Sequence, residues 1–233
     1  DQIDGDLQFP LRYLSDETLA EKPPVDIPQA VAFRDVGWAA MYDRFWDSRS
    51  VRLFFKSSPW GSHGHSHWDQ NSFVIHAFGE ILAIDKGYYG YYGDEYHRQV
   101  TCATRSHNTI LVNGAGQETG KDHHGHIDDF FNSEHFTFLV GDAEAAYGER
   151  LDTALRAILF IRPDVFIVYD QLEAPEPAGF SWQLNAFEQM EPDENARSVT
   201  IHQRDVRLRA THLLPEDLSS RQSNARPYEL TAR

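Results

Sequence analysis

A short histidine-rich segment carries the clearest chemical signal in the sequence. Three imidazoles and one carboxylate occupy alternate positions along it: His63, His65, His67 and Asp69. In an extended segment, residues two apart point to the same side of the chain, so these four would share one face. Imidazole is the commonest protein metal ligand and the commonest general base near neutral pH. The pattern therefore predicts a metal or catalytic site.

Two residues further along the chain are expected to join this segment. An apolar run over residues 73–78 is followed by a turn and by a second apolar run over residues 81–84, which predicts a β-hairpin. The hairpin would return Asp85 to the neighbourhood of the histidines, and His107 precedes the next apolar run. One histidine of the cluster, Asp85 and His107 would then converge. Three nitrogen and oxygen ligands suit zinc, with a fourth position for water or another group.

A tyrosine-rich stretch follows Asp85. Its glycines predict a loop with exposed rings, and aromatic faces stack on sugar rings while their hydroxyls form hydrogen bonds. Two arginines flank the loop, where an anionic ligand would need cations. The expected ligand contacts are Tyr88, Tyr89, Tyr91, Tyr92, Arg98 and Arg105.

Two further features are interpreted as structural. The second histidine cluster, over residues 123–126, lies among charged residues and is expected to be a solvated loop. The single cysteine, Cys102, excludes an intrachain disulfide and has no cysteine partner for a thiolate metal site. It is expected to be a small buried hydrophobic residue.

Composition and charge narrow the classes of partner. The chain has 233 residues, of which 41% are hydrophobic and 13% aromatic, enough for a sizeable core. Its net charge of −15 argues against nucleic acid and acidic membranes as partners, and an anionic substrate would need local cations. The sequence has no apolar run long enough to span a membrane. It begins without methionine, so the natural N-terminus is expected to lie upstream.

The fold class follows from many short apolar or alternating runs separated by turn residues. This pattern, with little helical periodicity, predicts an all-β fold, an antiparallel β-sandwich. Residues 1–30 are polar and contain prolines, so they are interpreted as a linker that leaves another element, and residues 31–233 as the sandwich domain. The expected strands cover residues 37–41, 51–56, 73–78, 81–84, 109–112, 136–140, 154–161, 165–170, 180–187, 198–202 and 206–210.

With these motifs in place, the sequence resembles the C-terminal β-domain of the heparinase II/III-like polysaccharide lyases. The resemblance covers roughly residues 33–215 and looks closest to the oligoalginate lyase branch, with heparin- and heparan-type lyases next. Its most specific part is the combination of His-x-His-x-Asp, Asp-x-Gly and His-Asn. The matching segments are residues 56–61, 63–73, 83–89, 105–109, 160–164 and 170–174.

The resemblance implies roles for individual residues. It implies that His67, Asp85 and His107 bind zinc, that His65 is a catalytic base or acid, and that the tyrosine loop contacts the substrate. The implied reaction is β-elimination in a uronate-containing polysaccharide or oligosaccharide, either alginate-like or of the heparin/heparan type. The implied enzyme is a carbon–oxygen lyase, periplasmic or secreted in bacteria.

The resemblance also implies that part of the active site lies on a second domain. Members of the family pair the β-sandwich with an N-terminal α/α toroid, which supplies a catalytic tyrosine and a residue that neutralises the uronate carboxylate. No segment of this chain predicts such a toroid, so we expect it upstream and expect the chain to hold part of an active site. Two alternatives remain at this point: a non-catalytic carbohydrate-binding β-sandwich and a cupin-like metalloenzyme.

Overall fold

The chain forms antiparallel β-sheets with few and short helical turns. The computed structural model describes residues 26–62, 65–85, 91–216 and 218–223. In this part the strands are β1 (Ala30–Phe33), β2 (Trp38–Tyr42), β3 (Arg52–Lys56), β4 (Ser72–Ala77), β5 (Glu80–Ala83), β6 (Ile110–Val112), β7 (His126–Asn132), β8 (Phe136–Asp142), β9 (Thr153–Ile161), β10 (Val165–Glu173), β11 (Phe180–Trp182), β12 (Glu191–Asp193), β13 (Ser198–Gln203) and β14 (Val206–Thr211).

The strands of the described ranges form four sheets. A five-stranded sheet has the order β1-β2-β3-β4-β5 and a four-stranded sheet has the order β10-β9-β8-β7. Two smaller sheets pair β11 with β6 and β12 with β13 and β14. The helical elements are a π-helix (His97–Thr101), 3-10 turns (Thr104–Ser106 and Gly148–Arg150) and α1 (Glu144–Tyr147).

The main core lies between the two larger sheets. Strand β9 buries alternate residues, as expected for a strand with one face against a core, and β3 and β8 show the same alternation. The core side chains include Leu53, Phe73, Leu139 and Ile158. An all-β sandwich is therefore confirmed as the fold class. Among the described residues no helix has the length and apolar character needed to cross a membrane.

Most predicted strands are present with bounds that differ by a few residues. The predicted run over residues 180–187 is a strand only as far as Trp182. Gln183 N–H still donates to Thr109 next to β6, but the chain then leaves β6, and the Asn185 carbonyl accepts from Ile84 N–H after β5. The expectation of a loop at the second histidine cluster is wrong for His126, which begins β7. Strands β1, β7 and β12 were not predicted, since their sequences alternate poorly.

Arg156 is a buried charge that ties the sheets to the loops between them. Its guanidinium forms a bidentate pair with Asp170 on the neighbouring strand, at 2.6 and 2.9 Å. It also donates to the carbonyl oxygens of Asn71 and Asn108, both at 2.7 Å. Because Arg156 is only 1% exposed, every one of these bonds lies in the interior. Asn71 immediately precedes β4 and Asn108 follows His107, so this side chain fixes two segments of the candidate site.

We predict that Arg156→Ala destabilises the protein by about 3–5 kcal/mol, because it leaves the Asp170 carboxylate and two carbonyls without their partner in the interior. The matched control is Arg204→Ala, since Arg204 pairs with Glu80 while 79% of its side chain is exposed. Exposed pairs contribute about 0–1 kcal/mol. Urea denaturation measures both free energies of unfolding, and equal losses would contradict the role given to Arg156.

Candidate metal and substrate site

The β4–β5 hairpin places Asp85 at the start of β4, as the sequence predicted. The two strands pair through Ile75 and Ala83, so the residues after β5 return to the level at which β4 begins. His67 lies five residues before β4, on the approach to the same end of the hairpin. His107 lies on a third chain segment, directly after the 3-10 turn Thr104–Ser106.

His67, Asp85 and His107 converge. Their nearest ligand atoms all lie within 4.8 Å of one another. His107 Nδ1 is 2.9 Å from Asp85 Oδ2, and the His67 and His107 ring centroids are 5.2 Å apart. The three residues thus bring two imidazoles and a carboxylate to one point from three chain segments.

The electrostatic settings of the two histidines differ. Burial lowers the pKa of His67, and the neighbouring His107 lowers it further. Burial also opposes the charged form of His107, but its hydrogen bond to Asp85 and the nearby Asp69 charge outweigh that effect, so the pKa of His107 is raised. Without a metal, a proton on this pair of histidines would therefore reside on His107.

Asn108 holds the three segments in register. Its side-chain NH₂ donates to the carbonyls of Phe73 at 2.7 Å and Ile84 at 2.9 Å, and its side-chain oxygen accepts from the Asn185 N–H. These contacts join β4, the end of β5 and the segment after β11. Asn108 follows His107 directly, so its clamp fixes the backbone on which His107 stands. The sequence flagged the His-Asn pair without assigning Asn108 this role.

The donor set fits a zinc ion. Zinc binds imidazole nitrogen and carboxylate oxygen at about 2.0–2.2 Å. His107 Nε2 is buried and has no hydrogen-bond partner among the residues that the structure describes. A buried ring nitrogen without a partner is costly unless another group occupies its lone pair or takes its proton.

The histidine-rich segment is not the extended strand that its alternation predicted. Residues 65–71 form turns and bends, and the segment hydrogen-bonds to loops, with Trp68 N–H donating to the Cys102 carbonyl. Asp69 is buried and forms an ion pair with Lys56, so it does not belong to the group formed by His67, Asp85 and His107. His63 lies outside the described residues. The prediction that four groups share one strand face is therefore wrong.

His65 is exposed and lies against the tyrosine loop. Its ring centroid is 4.3 Å from that of Tyr92, which is in turn 5.0 Å from His97. Tyr91 and Tyr92 are 85% and 53% exposed, in agreement with the expected loop of open rings. Tyr88 and Tyr89 lie outside the described residues. Exposed His65 and half-buried His67 therefore have different surroundings although they are two residues apart.

The two flanking arginines lie on the short helical turns that follow the tyrosine loop. Arg98 belongs to the π-helix His97–Thr101 and Arg105 to the 3-10 turn Thr104–Ser106, and both are exposed. They are thus solvent-accessible cations on the segment that leads to His107. Contact with an anionic ligand remains a prediction for both.

Cys102 is buried, as expected, but it is not surrounded by apolar groups alone. Its sulfur lies 3.4 Å from His97 Nε2 and 3.6 Å from His97 Nδ1. Burial raises the pKa of the Cys102 thiol. The sequence has no second cysteine. The nearby His97 could not be identified as a neighbour of Cys102 from the sequence, because the π-helix brings the two residues together.

The comparisons with known proteins agree with the fold. The sequence profile of the family described as heparinase II/III-like, C-terminal, matches residues 27–225. No curated protein sequence matches the chain at a significant level.

Solved structures with the same fold include two polysaccharide-degrading enzymes. The heparan sulfate lyase HepC from Pedobacter heparinus has a TM-score of 0.69 at 21% identity, covering 87% of this chain and 32% of HepC. A heparinase III gene product has a TM-score of 0.66 at 17% identity, covering 82% of this chain and 29% of its own. This chain thus spans about a third of the length of these proteins.

We predict that, after removal of metal with a chelator, His107 keeps its proton to a higher pH than His67. The reason is the Asp85 carboxylate, which stabilises the charged imidazole of His107, whereas burial disfavours the charged form of His67. NMR titration of the imidazole protons measures both values. A reversed order would contradict this electrostatic account.

The hydrogen bond between Asp85 and His107 should make the free energy of unfolding depend on pH. A pKa raised above the unfolded value contributes stability that is fully present below the unfolded pKa and is lost as pH rises through the folded pKa. Asp85→Asn should therefore lower the His107 pKa, and its cost in unfolding free energy should shrink as pH rises above 6.5, the ordinary histidine value.

Proposed function

Since the chain belongs to the heparinase II/III-like C-terminal family, we propose that it is the β-sandwich part of a polysaccharide lyase that cleaves uronate-containing chains by β-elimination. The observation that carries the proposal is one arrangement: exposed His65 stands beside Tyr92, two residues from the group of half-buried His67, half-buried Asp85 and buried His107. An exposed imidazole whose near neighbour in the chain, His67, is held among other chain segments is what a fixed proton-transfer group requires.

Zinc is the proposed occupant of this group, held by His67, Asp85 and His107. The support is the donor chemistry, the close approach of the three ligand atoms and the buried His107 Nε2. When bound, the ion supplies a cross-link between three chain segments that are distant in sequence. His67 would then be fixed, and with it the backbone that carries His65.

The proton chemistry is assigned to His65. β-Elimination removes the C5 proton next to the uronate carboxylate and expels the oxygen on C4, so the reaction needs a base, an acid and a group that neutralises the carboxylate. A neutral imidazole can take the C5 proton, and the exposed ring of His65 is open to a bound sugar. Its contact with Tyr92 restricts the directions in which the ring can turn.

The substrate class is a uronate oligosaccharide or polysaccharide, alginate-like or of the heparin/heparan type. An anion must approach a chain of net charge −15, so local cations are needed. Exposed Arg98 and Arg105 are the proposed cations, and Tyr88, Tyr89, Tyr91 and Tyr92 are the proposed stacking surface for sugar rings.

The remaining catalytic groups are assigned to another part of the protein. We propose an α/α toroid, upstream of this chain, that supplies the catalytic tyrosine and the residue that neutralises the carboxylate. The share of the structural relatives that this chain spans, about a third, leaves room for such a domain. We also propose a periplasmic or secreted location in bacteria, because polymeric uronates are encountered outside the cytoplasm.

We predict that His65→Ala in the full-length protein lowers turnover by about 10²–10⁴-fold, the usual contribution of a general acid or base. Bound zinc and melting temperature should hardly change, since the His65 ring is exposed. His67→Ala is the matched variant two residues away, and it should lose zinc and stability together with activity. Product formation is followed by the ultraviolet absorbance of unsaturated uronates, and zinc by elemental analysis.

The comparison between these two variants identifies which part of the proposal fails. If His65→Ala loses zinc and His67→Ala keeps it, the two roles are reversed. If neither substitution changes turnover, the proposed mechanism is wrong.

We predict that the 233-residue chain alone shows little or no lyase activity, because the proposed tyrosine and carboxylate-neutralising residue lie elsewhere. Alginate and heparan oligosaccharides are the substrates to assay, with the full-length protein as the positive control. Rapid turnover by the isolated chain would contradict the divided active site. Sugar binding by a full-length protein without lyase activity would instead favour a carbohydrate-binding domain.

A further inference from the structure

His67 belongs to a second group of metal-binding side chains. Its ligand atom lies within 4.8 Å of those of His97 and Cys102, which also lie within 4.8 Å of each other. Neither His97 nor Cys102 has a part in the function proposed above. We propose that His67, His97 and Cys102 form a second cation position, which takes a thiophilic ion such as Cd²⁺.

The π-helix explains why this group exists. Cys102 N–H donates to the His97 carbonyl at 2.8 Å, a bond between residues five apart that widens the helical turn. This turn places the Cys102 sulfur 3.4 Å from His97 Nε2. The His97 ring in turn meets the His67 ring edge to face, with centroids 6.0 Å apart. Both His97 and Cys102 are buried, so water competes little for their donor atoms.

The chemistry of the three donors selects the ion. One sulfur and two imidazole nitrogens suit soft or borderline cations, whereas calcium and magnesium prefer oxygen ligands. The group contains no carboxylate, in contrast to the group of His67, Asp85 and His107. Cadmium is a suitable probe because it binds thiolate strongly and the bond between them absorbs in the ultraviolet. On binding, the Cys102 thiol releases its proton to solvent, so the metal displaces a proton from a thiol whose pKa is raised by burial.

His97 must change its tautomer when the ion binds. Gly93 N–H donates to His97 Nδ1 at 3.2 Å, so the neutral ring carries its proton on Nε2. Ligation through Nε2 moves that proton to Nδ1 and breaks the bond to Gly93. Gly93 lies in a turn that is partly exposed, where water can replace the lost contact. The second position is therefore formed on binding and favours an ion that binds tightly.

Sharing His67 couples the two positions. An imidazole that gives one nitrogen to the second ion is withdrawn from Asp85 and His107. Occupancy of the second position should then weaken zinc binding at the first. This competition rests on the zinc site proposed above, whereas the second position itself does not.

Cadmium titration of the full-length, chelator-treated protein tests the second position. We expect one equivalent of cadmium to produce a thiolate-to-metal absorption band that is absent from Cys102→Ser. His97→Ala and His67→Ala should each weaken binding at least tenfold. Asp85→Asn should retain the band, because Asp85 lies outside the group, and His202→Ala, at an exposed residue paired with Glu191, is the unrelated control.

Two results would overturn the proposal: no Cys102-dependent band, or cadmium affinity unchanged in both His97→Ala and His67→Ala. Circular dichroism shows whether each variant folds. If Cys102→Ser does not fold, the cadmium NMR resonance of the unsubstituted protein decides, since its position separates sulfur ligation from purely nitrogen and oxygen ligation. A purely nitrogen and oxygen environment would also overturn the proposal.

Competition is measured separately, by release of zinc from the zinc-loaded protein as cadmium is added. Release that depends on Cys102 supports coupling through His67. A cadmium band in a protein that binds no zinc would support the second position and contradict the proposed zinc site. Zinc binding that depends on His107, without any cadmium band, would support the zinc site and contradict the second position.

Discussion

The arrangement of the site depends on the buried guanidinium of Arg156. A charge in the interior is tolerated only when it is paired and its donors are satisfied. Asp170 neutralises Arg156 from the next strand, and the carbonyls of Asn71 and Asn108 accept from its Nη1. The requirement to satisfy this one group therefore fixes where the loop before β4 and the loop before β6 can lie. Those are the loops that end the histidine-rich segment and carry His107.

Exposure to solvent increases from Arg156 toward the histidine-rich segment. Asn108 clamps β4, β5 and the segment after β11, and Asp85 meets His107 within that clamp. His67 lies at the edge of the buried region, and His65 and Tyr92 lie in solvent. Along the path from Arg156 to His65, the side chains change from buried to exposed. The proposed removal of a proton from a sugar needs a base that is both open to the sugar and held in one orientation.

The sequence predicted the parts of the site that depend on local chain geometry. The β4–β5 hairpin follows from two apolar runs and a turn, and it correctly placed Asp85 near the histidines and His107. The exposed tyrosine rings follow from their glycines in the same way. The alternation of residue types gave a wrong prediction for Asp69, because its carboxylate forms an ion pair with Lys56 on β3. These two residues are 13 apart in the sequence. Arg156 reads as an ordinary strand residue, and the pairing of His97 with Cys102 depends on a π-helical turn, so neither could be inferred from periodicity.

We propose above all that His67, Asp85 and His107 hold one metal ion that fixes the backbone carrying His65. Diffraction from crystals of the full-length protein, recorded on both sides of the zinc absorption edge, tests it most directly. The account predicts a single anomalous peak within bonding distance of His67, Asp85 and His107, at about 2.0–2.2 Å from their nitrogen and oxygen atoms. The claim would be contradicted by crystals grown with zinc that show no peak among these three residues.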